Sequence, residues 1–96
     1  MLEQFDKAFE SRIRLQIMSV LAANESYDFS SLKDLLEVTD GNLASHLKAL
    51  EKEDYISVNK SFVGRKPNTR YIATEKGIEA FKRHLDSLEK LIRQQE

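Results

Sequence analysis

The chain has 96 residues, with 15 lysines and arginines against 16 aspartates and glutamates, 41% hydrophobic residues and no cysteine. That is room for one small domain with one core and too little for two, and the apolar content is that of a folded chain. The missing cysteine excludes disulfides, zinc–thiolate sites and thiol catalysis, and no apolar run nears the length of a membrane span.

The N-terminus lacks the form of a signal peptide, so a cytoplasmic protein is expected. A net charge of −1 argues weakly against nucleic-acid binding. Its distribution says more. Met1 to Asp40 holds four basic and eight acidic residues. Gly41 to Arg70 holds six basic residues (Lys48, Lys52, Lys60, Arg65, Lys66 and Arg70) against three acidic ones, and Tyr71 to Glu96 balances at five and five. The cationic charge is local to the middle of the chain.

A first helix is expected from Leu2 or Phe5 to Ala23, because Leu2, Phe5, Phe9, Ile13, Ile17, Val20 and Leu21 recur at helical spacing. Ile13 to Leu21 is apolar enough to be core. Phe5 and Phe9 extend the stripe beyond what a small domain covers, which points to a partner surface; folding back onto the chain's own C-terminal helix is the alternative. Tyr27-Asp28-Phe29 reads as a short extended piece. Ser30 or Ser31 then caps a short helix, Leu32 to Glu37, with Leu32, Leu35 and Leu36 facing inward.

After the tight turn Val38-Thr39-Asp40 comes the stretch that organises the rest. Thr39 or Asp40 can start a helix whose Leu43, Leu47 and Leu50 fall on one face. The opposite face carries Asn42, Ser45 and His46 near its start and Lys48 and Lys52 further along. Small hydrogen-bonding groups suit base edges in a major groove, and lysines suit phosphates. A solvated face is the plain alternative, and His46 can point either to DNA or into the core. Gly41, in the first turn, lets a backbone or a phosphate come close. Two short helices joined in this way form a helix-turn-helix.

From Tyr55 to Val63 the pattern alternates as in a strand, with Ile56, Val58 and Lys60 on one side and Tyr55, Ser57 and Asn59 on the other. Gly64-Arg65-Lys66-Pro67-Asn68 breaks it, and Thr69 to Ala73 returns. The result is a hairpin with Arg65 and Lys66 at its tip and Lys60 and Arg70 on its flanks. It is either a solvated turn or a wing that straddles the phosphate backbone and sends an arginine into a minor groove.

Thr74 is placed to cap a last helix, in which Ile78, Phe81, Leu85, Leu88, Leu91 and Ile92 form a stripe over about 30 Å. Its spacing is that of a seam between helices. A second copy is the natural partner, with Phe5, Phe9, Phe81, Leu85, Leu88, Leu91 and Ile92 at the interface; packing within one chain is the alternative.

The fold class read from these elements is α+β, mostly α: a winged helix-turn-helix with a two-stranded wing and a long C-terminal dimerisation helix. It is one domain over 1–96, with the helix-turn-helix at about 30–53, the wing at about 55–73 and the final helix at about 75–94. In several segments the chain resembles the small single-domain winged-helix regulators in the MarR and ArsR neighbourhood: 11–18, 29–36, 39–51, Tyr55-Ile56, 60–67 with Tyr71, and Thr74-Glu75-Lys76-Gly77. The resemblance spans nearly the whole chain and implies a cytoplasmic homodimeric transcriptional regulator that binds double-stranded DNA sequence-specifically at a palindromic operator. It identifies no small-molecule effector.

No cofactor or metal site is expected, since metal-sensing relatives use cysteine, histidine and carboxylate clusters and here His46 and His84 fall in different elements. There is no Gly-rich phosphate loop, nucleophile elbow or metal-spaced cluster, so no catalytic residue is assigned and an enzyme is not expected. The competing reading is a winged helix used for protein–protein interaction without DNA binding.

Overall fold

The computed structural model describes residues 5–94. A 3₁₀ turn (Lys7–Phe9) precedes α1 (Arg12–Ala23), β1 (Tyr27–Asp28), α2 (Phe29–Leu36), α3 (Asp40–Lys52), β2 (Ile56–Val63), β3 (Lys66–Ala73) and α4 (Glu75–Gln94). The strands form one antiparallel sheet in the order β1-β3-β2. This is the mostly helical winged-helix architecture expected from the sequence.

The core forms where the apolar faces of the helices meet the base of the sheet. Ile17, Met18 and Leu21 from α1, Leu32 from α2, Leu43, Leu47 and Leu50 from α3, and Ile56 from β2 are each at most 2% exposed. Each such side chain contributes about 1.5–3 kcal/mol by leaving water. Side-chain caps start every helix. Ser11 accepts from the Arg14 amide, Asp28 from Ser31, Thr39 from Asn42 and Thr74 from Gly77. Each of these satisfies an amide that the first turn leaves free.

Several expectations change. The first helix begins at Arg12, because Asp6 and Ser11 each take an extended conformation and cap a separate turn; Leu2 lies outside the described residues. α2 is capped by Asp28 rather than by a serine, which moves its start to Phe29. Leu35 is 54% exposed, so it does not face inward as expected.

Tyr55 precedes the strand instead of opening it. α3 ends with the Tyr55 amide donating to the Leu50 carbonyl and the Asp54 amide to Glu51, while Asp54 takes a left-handed φ of 66°. That Schellman-type ending turns the chain and drives Tyr55 into the core.

The break in the hairpin is also shorter than expected. Val63 pairs with Lys66, leaving only Gly64-Arg65 as the loop, with Gly64 at φ +66°. Two-residue hairpin loops need positive φ at the first position, which glycine adopts freely. Pro67 lies within β3 opposite Phe62, in the part of the strand that β1 does not reach, so its missing N–H leaves no partner unsatisfied.

The largest correction concerns Phe9, expected at an interface between copies. It is 2% exposed and lies inside the protomer, with its ring 5.5 Å from Tyr55, 5.8 Å from Phe81 and 5.4 Å from His84. Phe81, also assigned to the interface, is 8% exposed and belongs to the same core. Phe5 is half-buried, its ring 5.6 Å from His84. The N-terminal segment folds back onto α4, the alternative left open by the sequence.

Asp6 fastens it there. Its amide donates to His84 Nδ1 at 3.2 Å, and its carboxylate accepts the Tyr55 hydroxyl. Burial, with the Asp6 hydrogen bond second, pushes the Tyr55 phenol up to about 12.

Candidate nucleic-acid interface

α3 divides cleanly. Leu43, Leu47 and Leu50 are buried, while Gly41, Asn42, Ala44, Ser45, Lys48, Glu51 and Lys52 are exposed. The helix is held at this angle by its packing on α1 and β2 and by a 2.9 Å ion pair from Lys33 of α2 to Asp40 in its first turn. At Gly41 an added Cβ meets nothing within 4 Å. The protein's own packing therefore does not demand glycine there, and the open space faces outward.

His46 differs from its neighbours. It is half-buried, and burial first, then the nearby Arg14 guanidinium of α1, holds its imidazole below the ordinary value. The shift favours the neutral imidazole, which exchanges hydrogen bonds with a base edge more readily than it supplies a cation for a phosphate.

Between α3 and the hairpin runs an open groove of about 400 Å³, lined by Ala44, Leu47, Lys48 and Glu51 on one wall and Val58, Lys60 and Tyr71 on the other. The fold thus brings together Lys48 and Lys60, twelve positions apart in the chain. Arg65 and Lys66 stand exposed at the hairpin tip. From Tyr55 to Ala73 the chain has four cations and no acidic residue.

Arg70, read from the sequence as a wing cation, also makes contacts within the protein. Its Nε donates to Ser26 Oγ at 2.8 Å, a terminal nitrogen donates to the Ser26 carbonyl at 3.4 Å, and Nη1 lies 3.8 Å from Asp28. These contacts brace the base of the wing to β1. Asp28 is in turn held below the ordinary carboxylate range, chiefly by its hydrogen bond with Ser31 and against the effect of burial.

Ala44 was missed by reasoning from hydrogen-bonding residues. It sits on the exposed face one turn before Lys48, and a small apolar group there suits a thymine methyl. The signal was present in the helical spacing, since positions 41, 44, 45 and 48 share a face.

A polar helix face beside a cationic hairpin, on a helix-turn-helix scaffold, is a geometry for duplex DNA, and the sequence profile of the winged helix DNA-binding domain family matches residues 13–92. The chain belongs to that family. An uncharacterized protein of Methanocaldococcus jannaschii is 38% identical over 79 residues, which are 82% of this chain and 86% of the relative. The structure of a transcriptional regulator homologue from Pyrococcus horikoshii superposes with a TM-score of 0.83 at 32% identity, covering 98% of both chains. A transcriptional regulator of Thermotoga maritima shares the fold with a TM-score of 0.72 at 19% identity, over 88% of this chain and 60% of its own.

The resemblance to small winged-helix regulators therefore holds over nearly the whole chain. This winged-helix protein belongs among DNA-binding regulators and not among enzymes. No helix among its described residues is long and apolar enough to cross a membrane.

Proposed function

We propose that this winged-helix protein is a sequence-specific transcriptional regulator that binds a palindromic operator as a homodimer in the cytoplasm. The observation that carries the DNA half of this reading is the exposed face of α3 next to an acid-free cationic wing. In this reading Asn42, Ser45 and His46 meet base edges. Lys48, Lys52 and Lys60 meet phosphates, as does the backbone at Gly41, and Arg65 and Lys66 reach the flanking minor groove. Ala44 joins the base-reading set.

Support for the dimer comes from α4. Leu85 is 43% and Ile92 64% exposed, Leu88 and Leu91 are half-buried, and Leu85, Leu88 and Ile92 keep the three- and four-residue steps of a helix–helix seam. Phe9 and Phe81 are not part of that surface, being core. Pairing through this ridge would set two recognition helices roughly 34–36 Å apart, on successive major grooves of one duplex face.

Fluorescence anisotropy of a labelled duplex at two salt concentrations tests the reading, followed by selection of the preferred site. Binding is expected to weaken steeply with salt as phosphate counterions are released. No binding at low salt would remove the DNA reading and favour a protein partner. Arg65→Ala should weaken binding to every duplex and reduce the salt slope by about 1, whereas Asn42→Ala should cost about 1–3 kcal/mol on the selected site only. Variants that bound all sequences like the parent would show the contacts to be misassigned.

Ile92→Glu tests the pairing. A carboxylate in an apolar seam should weaken self-association about tenfold or more, visible by sedimentation, and leave the protomer's melting unchanged. An oligomeric state indifferent to Ile92→Glu would place the dimer contact elsewhere.

A further inference from the structure

The outer half of the wing carries two large apolar side chains that the core does not use. Phe62 is 73% and Val63 67% exposed. β1 pairs with β3 only at Tyr71 and Arg70, so among the described residues the ribbon beyond Thr69 has no third strand beside it. A solvated hairpin tip gains little from a bare phenyl ring. With Pro67 paired across from it, Phe62 forms an exposed apolar patch rimmed by cations, the kind of surface that marks a contact.

The register says which way the ring faces. Ile56, Val58, Lys60 and Phe62 alternate onto one face of β2, opposite Ala73, Tyr71, Thr69 and Pro67 of β3. That face buries Ile56 and, through Val58, Lys60 and Tyr71, forms one wall of the groove against α3. Phe62 therefore continues the groove wall outward, on the recognition-helix side of the ribbon, with the fixed ring of Pro67 directly across from it.

The surroundings choose the occupant. Lys60 lies on the same face, Arg65 in the loop and Lys66 one pair further out, with no acidic residue from Tyr55 to Ala73. A cationic collar around an apolar tip is complementary to a polyanion that offers an apolar interior, and the minor groove of duplex DNA is one. Its phosphates flank sugar walls and stacked bases, and apolar wedges are a known means of entering it.

We propose that Phe62, backed by Pro67, is an apolar wedge with which the wing enters the minor groove and partly unstacks one base step. The inference rests on the DNA-binding reading above and adds to it a contact that carries no charge. Arg65 and Lys66 reach the same minor groove beside it, and Phe62 reads how easily the step opens. Flexible pyrimidine–purine steps in the flank of the operator would be preferred over stiff ones.

The test uses the full chain and duplexes of the selected site carrying 2-aminopurine at successive flank positions. Binding of the parent should brighten the probe at one step. Phe62→Ala should abolish that brightening and weaken binding about tenfold, with an unchanged salt slope, because no cation is removed. Phe62→Leu should keep part of both effects. Thermal melting of the free variants controls for folding, and an exposed position predicts no shift.

A Phe62→Ala protein that bound as tightly as the parent, or a probe that stayed dark at every position, would overturn the wedge. So would the loss of a DNA-free oligomer in Phe62→Ala, which would place the ring against a second copy. A parent with flat anisotropy on every duplex would instead fail the DNA reading itself, and this shows before any variant is compared.

Discussion

Phe9→Ala is expected to destabilise the protomer by about 3–5 kcal/mol, the usual cost of truncating a buried phenylalanine. The ring is 2% exposed and fills the space between Tyr55, Phe81 and His84, so its loss leaves a cavity that three rigid rings cannot collapse into. Domains of this size are stable by only about 5–15 kcal/mol in total. At about 4–8 °C per kcal/mol, the melting temperature should fall by more than about 12 °C.

Urea titration at two protein concentrations decides between the two places the sequence allowed for this residue. A core Phe9 gives the same loss at both concentrations. A loss that vanished as protein concentration rose would return Phe9 to an interface between copies. Ile92→Glu is the matched control, since Ile92 is 64% exposed and outside the protomer's core.

Gly77→Ala should also be strongly destabilising, against the ordinary trend. In most helices alanine is favoured over glycine by about 1 kcal/mol. Here an added Cβ would lie 2.1 Å from the Tyr55 carbonyl oxygen and 2.8 Å from its carbon. The obstacle is backbone on both sides and has nowhere to rotate. The same carbonyl accepts from the Thr74 amide at 3.0 Å, and the Thr74 hydroxyl donates to the Asp54 carbonyl at 2.6 Å.

α4 is thus seated directly on the turn that ends the recognition helix. Forcing the two apart should cost about 2 kcal/mol or more net of the propensity gain, and should loosen those bonds. Because the seat joins α3 to α4, on the homodimer reading proposed above Gly77→Ala should also lower affinity for a palindromic site more than for its half-site. A melting temperature equal to or above the parent's would show that the junction yields without strain.

The helix-turn-helix was legible because its signals are local. Leu43, Leu47 and Leu50 announce a buried face by spacing alone, and Thr39 and Thr74 cap the helices they were expected to cap. The wing was legible for the same reason, as an alternation around a glycine. Its loop was drawn too wide because Pro67 reads as a breaker. It is tolerated within β3 only because β1 stops short of it, a fact of sheet topology.

The N-terminal segment shows the limit. Phe5 and Phe9 fit a helical stripe with Ile13, and nothing in that spacing reveals that Asp6 and Ser11 interrupt the helix and turn the segment back onto α4. The bracing contacts of Arg70 were likewise illegible, since a cation on a wing gives no sign in the sequence that Ser26 and Asp28 will lie beside it.

Periodicity, capping residues and the clustering of charge between Gly41 and Arg70 were enough to place the helices, the hairpin and the cationic middle of this protein, because each depends on residues within a few positions of one another. They did not place the starts of α1 and α2 or the width of the hairpin loop. Only the tertiary structure decided which apolar residues are core and which remain for a partner, which cations are free, and that Lys48 and Lys60 share a groove. Those outcomes depend on contacts between residues distant in the chain, such as Asp6 with Tyr55 and His84, and a linear pattern carries no record of what will come to lie across from it.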